Sequence, residues 1–105
     1  MPRFRIHHLV EPEFHEARAW YADRSPLAGE NFKVRFDRSL ARVESHPVAH
    51  APWKSIFRRA RVTHFPYLIL FHTNHRATSV LALVHQRRDP RYMLTTMRRR
   101  FAYFA

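Results

Sequence analysis

The stretch LALVHQRRDPRY (Leu81–Tyr92) sets a histidine, two adjacent arginines, an aspartate, a third arginine and a tyrosine directly after an apolar run. His85 and Tyr92 are groups able to transfer a proton. Arg87, Arg88 and Arg91 carry planar guanidiniums that hold phosphate or carboxylate in bidentate geometry. Arg59 and Arg61 add two more at the i, i+2 spacing that puts both on one face of a strand. Cleavage of RNA by its own 2′-hydroxyl needs a proton acceptor, a proton donor and cations on the phosphate. Arg59, Arg61, His85, Arg87 and Tyr92 are the residues from which such a site would be built. The competing reading makes the arginines a contact surface, extended by Arg98, Arg99 and Arg100 in the basic–aromatic run RRRFAYF (Arg98–Phe104). On that reading His85 is a hydrogen-bonded strand end tied to the Asp89-Pro90 loop, and Asp89 forms local ion pairs of little worth when exposed.

Composition narrows the classes. The 105 residues suffice for one domain, and 46% hydrophobic residues with nine Phe suffice for a core. Cysteine is absent, which removes disulfide scaffolds, zinc–thiolate sites and a thiol nucleophile, and which suits a reducing cytoplasm. The longest apolar runs, Tyr67–Phe71 and Val80–Val84, are too short to span a bilayer, and the first residues lack an apolar stretch of signal-peptide length. A cytoplasmic protein with no membrane partner is the expectation. The nine histidines match no established ligand spacing with a carboxylate in place, so neither a metal nor a cofactor is expected.

The formal charge is +11, and 17 of the 19 basic residues are arginine. Residues 1–45 carry eight basic and seven acidic residues, whereas residues 46–105 carry eleven basic residues and a single acid, Asp89. The excess charge therefore belongs to the second half. Such a field draws in nucleic acid or an acidic protein. Signatures of an RRM, KH or helix-turn-helix module are missing, which leaves a non-catalytic basic nucleic-acid- or protein-binding module as a reading supported by charge alone.

The elements that must position these groups follow from periodicity. Residues Arg3–Leu9 alternate, with Phe4, Ile6 and His8 on one face and Arg3, Arg5 and His7 on the other, as in a half-buried strand. A helix is predicted from about Pro12 to Asp23, with Glu11, Glu13 and Glu16 near its positive end. RSPLAGEN (Arg24–Asn31) reads as a break holding the only glycine. A second helix follows from Asn31, striped by Phe32, Phe36, Leu40 and Val43, and ends before Pro47. Trp20, Tyr21, Phe32, Phe36, Phe65 and Tyr67 are expected in the core. After a Pro-rich loop the period changes to that of strands, with Arg59, Arg61 and Thr63 opposite Arg58, Ala60 and Val62, then Tyr67–Thr73, a turn at NHRA, and Thr78–His85. The predicted class is α+β in the order β-α-α-β-β-β, a helical hairpin (about 12–46) packed on one face of a small, mainly antiparallel sheet (meander about 56–85). A C-terminal basic segment, 86–105, forms either a short helix or a strand.

These features line up in the order of a known family. EFHEARAWYADRSPLAGENF, LARVESHP, HFPYLILF and VLALVHQRRDPRYM resemble the ParE/RelE superfamily of toxins from type II toxin–antitoxin systems, the plasmid stabilisation toxins, over roughly residues 4–93. The resemblance implies the same β-α-α-β-β-β fold and a toxin held by an acidic antitoxin in a hetero-oligomer. RelE-like members cut messenger RNA on the ribosome; ParE-like members poison DNA gyrase without a nuclease site. RelE-like enzymes are basic at the positions of Arg59, Arg61 and Arg87, and also immediately after the aromatic of the third strand. Here that last position is Leu68. With the Phe-Pro-Tyr and His-x-Arg-Arg-x-Pro-x-Tyr patterns, the resemblance favours a ParE-like toxin that is not an enzyme. A RelE-like endonuclease is the alternative, and an inactive, antitoxin-binding relic is a third reading.

Overall fold

A computed structural model describes residues 2–105. Its helical hairpin is longer and more tightly joined than the sequence suggests. Helix α1 spans Val10–Ala22 and α2 spans Pro26–Ser45, so the predicted break at 24–31 shrinks to Asp23–Ser25. The reason is capping. The Ser25 side chain accepts the Ala28 amide at 3.3 Å and Pro26 occupies the first turn, so the Ser-Pro pair starts the helix. Gly29 lies inside α2, where it lets the two helices touch: a Cβ there would stand 2.8 Å from the Ala22 Cβ.

The four strands, β1 (Arg3–Ile6), β2 (Arg58–Arg61), β3 (Tyr67–Thr73) and β4 (Ala77–His85), form one sheet in the order β1-β4-β3-β2. The meander β2-β3-β4 is antiparallel, whereas β1 returns through the helical hairpin and pairs parallel with β4. The β2–β3 turn holds His64 in the left-handed region at φ 73°. Strand β1 pairs only with Ala77–Val80, so the Leu81–His85 half of β4 has no strand beside it on that edge.

The sheet is covered on both faces. On one face Phe14, Phe32 and Phe36 of the hairpin meet Val62, Ile69, Phe71, Val80 and Leu83, joined by partly buried Tyr21, Phe65 and Tyr67. Ring centroids sit 4.6 Å apart for Phe14–Phe36 and 4.8 Å for Tyr21–Phe65. Trp20, expected in this core, is instead half exposed, with the Arg24 guanidinium 3.3 Å over its ring. The other face is closed by the C-terminal segment, which is a helix, α3 (Pro90–Ala102), whose Met93 and Met97 pack on Phe57, Leu70 and Leu81. Asp89 caps it by accepting the Arg91 amide at 2.9 Å, with Pro90 in the first turn.

The face assignment of the first strand also changes. Ile6 is exposed, while His7, expected on the wet face, is buried, stacks on His8 and meets Tyr103 and Phe104 edge to face. The strand ends at Ile6, so the alternation does not carry on to His7. Among the described residues no helix is long and apolar enough to cross a membrane.

Candidate functional site: a basic groove and a cavity between α1 and α3

Strand pairing decides which arginines stand together. In the antiparallel ladder Arg59 faces Leu70 and Arg61 faces Leu68, so both point to the α3 face. Arg87, two residues past the end of β4, reaches the same side, and these three guanidiniums line a groove of about 620 Å³ with Trp53, Leu68 and Met93. The far wall is the loop before β2. It is pinned by the Arg59 amide donating to the Ala51 carbonyl at 3.0 Å and by Arg58 donating to the His50 carbonyl at 2.8 Å. His50 also lines the groove, and its Nε2 is buried without a hydrogen-bond partner. Arg59, Arg61 and Arg87 are exposed and make no ion pair among the described residues. The groove thus presents free guanidiniums beside an apolar floor, a surface matched to a carboxylate- or phosphate-bearing chain with some apolar side chains.

His85 and Tyr92 are elsewhere. His85 pairs with Tyr67 across the ladder, on the hairpin face, and the two rings meet edge to face at 5.3 Å. Its Nδ1 accepts the Arg87 amide at 3.1 Å and its carbonyl accepts the Arg88 amide, so His85 ties the strand end to Arg87 and Arg88. The tie to Asp89-Pro90 expected from sequence is not made, because Asp89 turns to cap α3. Tyr92 stands on the first turn of α3 with Arg88 4.7 Å over its ring. Both line a second cavity, of about 290 Å³, between α1 and α3. Of the five residues from which a ribonuclease site would be built, Arg59, Arg61 and Arg87 therefore line the groove, whereas His85 and Tyr92 line the cavity.

Among the remaining arginines, Arg88, Arg91, Arg98 and Arg99 are exposed, and Arg91 lies 3.7 Å from Asp89. Arg100 departs from the expected contact surface. It turns inward, donates to both oxygens of Glu13 at 3.0 Å and to the Leu81 carbonyl at 2.9 Å, and keeps 13% of its side-chain exposure. Sequence reasoning had no means to single it out from two adjacent arginines.

The second cavity has its own order. Glu13, Glu16, Ala17 and Trp20 present one face of α1, and Tyr92, Thr96 and Arg100 present one face of α3. At the floor lies the Glu13–Arg100 pair. Thr96 lines the cavity too, and its hydroxyl is buried without a partner, a situation that costs about 1–3 kcal/mol when nothing satisfies it. Burial, and then the Glu16 carboxylate, raise the Tyr67 phenol above its ordinary value, so it remains a donor. The sequence singles out Tyr92 and Arg100 in other roles, and Trp20 and Tyr67 as core; it assigns Glu13, Glu16 and Thr96 to no site. The only available signal was the i, i+3, i+7 spacing of Glu13, Glu16 and Trp20.

Comparison with known proteins bears on this arrangement. No protein-family model matches the chain. Toxin ParE2 of Mycobacterium tuberculosis, in strains CDC 1551 / Oshkosh and ATCC 25618 / H37Rv, is 29% identical over 89 residues, which cover 84% of this chain and 85% of the relative. The α+β arrangement of three helices and a four-stranded mixed sheet is compatible with the ParE/RelE toxin fold.

Proposed function

We propose that the chain is the toxin of a type II toxin–antitoxin pair, ParE-like in action, which arrests growth through DNA gyrase and is neutralised by an acidic antitoxin. The likeness to a ParE toxin along most of both chains carries the toxin reading. The separation of the chemical groups supports the gyrase arm over the nuclease arm. A general base must come within about 3 Å of the proton it takes, or reach it through one water. A phosphate held by Arg59 and Arg61 lies across the sheet from His85, which belongs to the hairpin face. Position 68, basic in RelE-like enzymes, lines the groove here as leucine. Arg59, Arg61 and Arg87 then act as contacts, and the exposed Arg88, Arg91, Arg98 and Arg99 extend the same positive field.

The antitoxin part rests on charge. Ten of the eleven net positive charges belong to residues 46–105, and every residue lining the groove belongs to that half. An acidic, partly apolar segment laid along it would neutralise guanidiniums that are otherwise unpaired, and would cover Trp53. Co-expression with a short acidic reading frame, where one adjoins this gene, tests the pairing. Rescue of growth and co-purification as a hetero-oligomer are expected; normal growth of cells expressing the chain alone would refute the toxin reading.

A further inference from the structure

The cavity between α1 and α3 is distinct from the basic groove and plays no part in the reading above. Its walls combine three kinds of group. Trp20, Tyr67 and Tyr92 supply aromatic faces and edges; Met93, Met97 and Leu83 supply an apolar lining. Two lining residues carry polar groups without partners among the described residues: Thr96, whose hydroxyl is buried in the α3 wall, and Glu16, whose carboxylate makes no ion pair. His85 adds a donor, because its Nδ1 accepts the Arg87 amide and leaves the ring proton on Nε2. Arg88 stands at the rim over Tyr92, and Arg24 stands over Trp20.

Aromatic walls with a free carboxylate suit either a cation or a flat ring bearing N–H donors. The rings decide between them. Trp20 and Tyr92 already carry the guanidiniums of Arg24 and Arg88, and Arg100 lies at the floor, so a further cation would meet three positive charges. A neutral heterocycle would not, and an anionic tail on it would gain from the same arginines. Size points the same way. At about 290 Å³ the cavity is near the lower end of small-ligand pockets, roughly 300 Å³. It holds a base and leaves a sugar phosphate at the rim. Guanine is the base with two adjacent N–H donors on one edge, which a carboxylate accepts together, and with a carbonyl and a ring nitrogen beyond them for donors such as His85 Nε2 and the Thr96 hydroxyl.

We propose that this cavity binds a guanine nucleotide, with the base between Trp20 and Tyr92, its N–H edge on Glu16 and its phosphate on Arg88. The base comes from a free nucleotide or from a single strand of nucleic acid, and the recognition chemistry is the same. The full-length chain is titrated with GMP, AMP, UMP, guanosine and argininamide, followed by amide chemical shifts. The expected result is saturable GMP binding, with Kd below about 1 mM, at least ~10-fold tighter than AMP or UMP, and shifts centred on Trp20, His85 and Thr96. Glu16→Gln abolishes the preference for guanine, and Arg88→Ala brings GMP down to the affinity of guanosine. Thr96→Val, which keeps the side-chain shape, weakens GMP several-fold. The unmodified protein's shift map stands even where a variant folds poorly. A short thymine strand with one central guanine, compared with an all-thymine strand, separates the sources. Guanine-dependent binding tighter than GMP assigns the site to nucleic acid, and its absence beside GMP binding assigns it to the free nucleotide. The proposal is overturned by equal affinity for all nucleotides with shifts at Arg59 and Arg61, by argininamide binding more tightly than GMP, or by no saturable GMP binding up to about 10 mM.

Discussion

Glu13 and Arg100, 87 residues apart, form an ion pair that takes the place of a missing strand. Beyond Val80 the edge of β4 has no strand partner. Glu13 accepts the Leu83 amide at 3.1 Å, Arg100 donates to the Leu81 carbonyl at 2.9 Å, and the two side chains grip each other at 3.0 Å. Backbone groups that a fifth strand would satisfy are thus satisfied by a carboxylate and a guanidinium, which also fasten α3 to α1.

The pair should dominate local stability. Glu13→Gln or Arg100→Met leaves one partner buried and unpaired, and each is expected to cost about 2–4 kcal/mol in chemical denaturation, toward the lower end for a buried pair because Glu13 keeps 26% exposure. The double apolar variant, Glu13→Leu with Arg100→Met, distinguishes the two roles. A pure ion pair would be replaced with little loss. Because Leu83 N–H and Leu81 C=O would lose their partners, the double variant should stay destabilised by at least ~1 kcal/mol. Recovery to the parent value would show that the backbone role is absent.

Gly29 should resist replacement even by the best helix former. Alanine gains about 1 kcal/mol of helix propensity over glycine at an ordinary site. Here its Cβ would meet Ala22 at 2.8 Å, so the hairpin must spread. Gly29→Ala is expected to lower the unfolding free energy by about 1–3 kcal/mol net. Adding Ala22→Gly should recover part of that loss, and a melting temperature raised by Gly29→Ala alone would contradict the close approach.

Acid should weaken the fold before carboxylates titrate. Burial, followed by His8 and Arg100, holds His7 below the ordinary histidine value of 6.5. Burial and Arg5 do the same to His72, whose ring packs at a tilt on Phe101 with centroids 4.3 Å apart. With a folded value below the unfolded one, the unfolded chain binds more protons in this range, so stability is present above 6.5 and is lost as pH falls through the window beneath it. Denaturation midpoints measured from pH 7 down to pH 5 should decline. His72→Phe, which keeps the stacking and removes one titration, should flatten the slope; an unchanged slope would exclude His72 as a contributor.

Much of the fold was legible because its signals are local. Phe32, Phe36 and Val43 mark α2 by spacing, and the alternation of Arg59 and Arg61 with Ala60 and Val62 marks β2. The misses have physical causes. Ser25-Pro26 and Asp89-Pro90 are the same device, a side-chain cap followed by proline in the first turn. With Gly29 and the arginines nearby, one read as a break and the other as an ion cluster. The parallel pairing of β1 is a property of the crossover, which its four residues do not encode. Arg100 differs from Arg98 and Arg99 only in the face of α3 it occupies. The gathering of Arg59, Arg61 and Arg87 follows from register, whereas the separation of His85 from them required knowing that Tyr67 and Leu68 look to opposite sides.

The groove arginines should govern partner affinity through charge. Arg59→Ala with Arg61→Ala removes two exposed guanidiniums that make no ion pair among the described residues. The melting temperature should hardly move. Affinity for the antitoxin should fall roughly 10- to 100-fold, mostly in the salt-dependent part measured between low and physiological ionic strength. Unchanged affinity at both salt concentrations would place the antitoxin elsewhere on the surface.

The toxin claim itself is tested by adding purified chain to DNA gyrase with relaxed plasmid and ATP. The account predicts loss of supercoiling with accumulation of cleaved DNA, relieved by the cognate antitoxin. Undisturbed supercoiling, together with cutting of messenger RNA on added ribosomes, would contradict it.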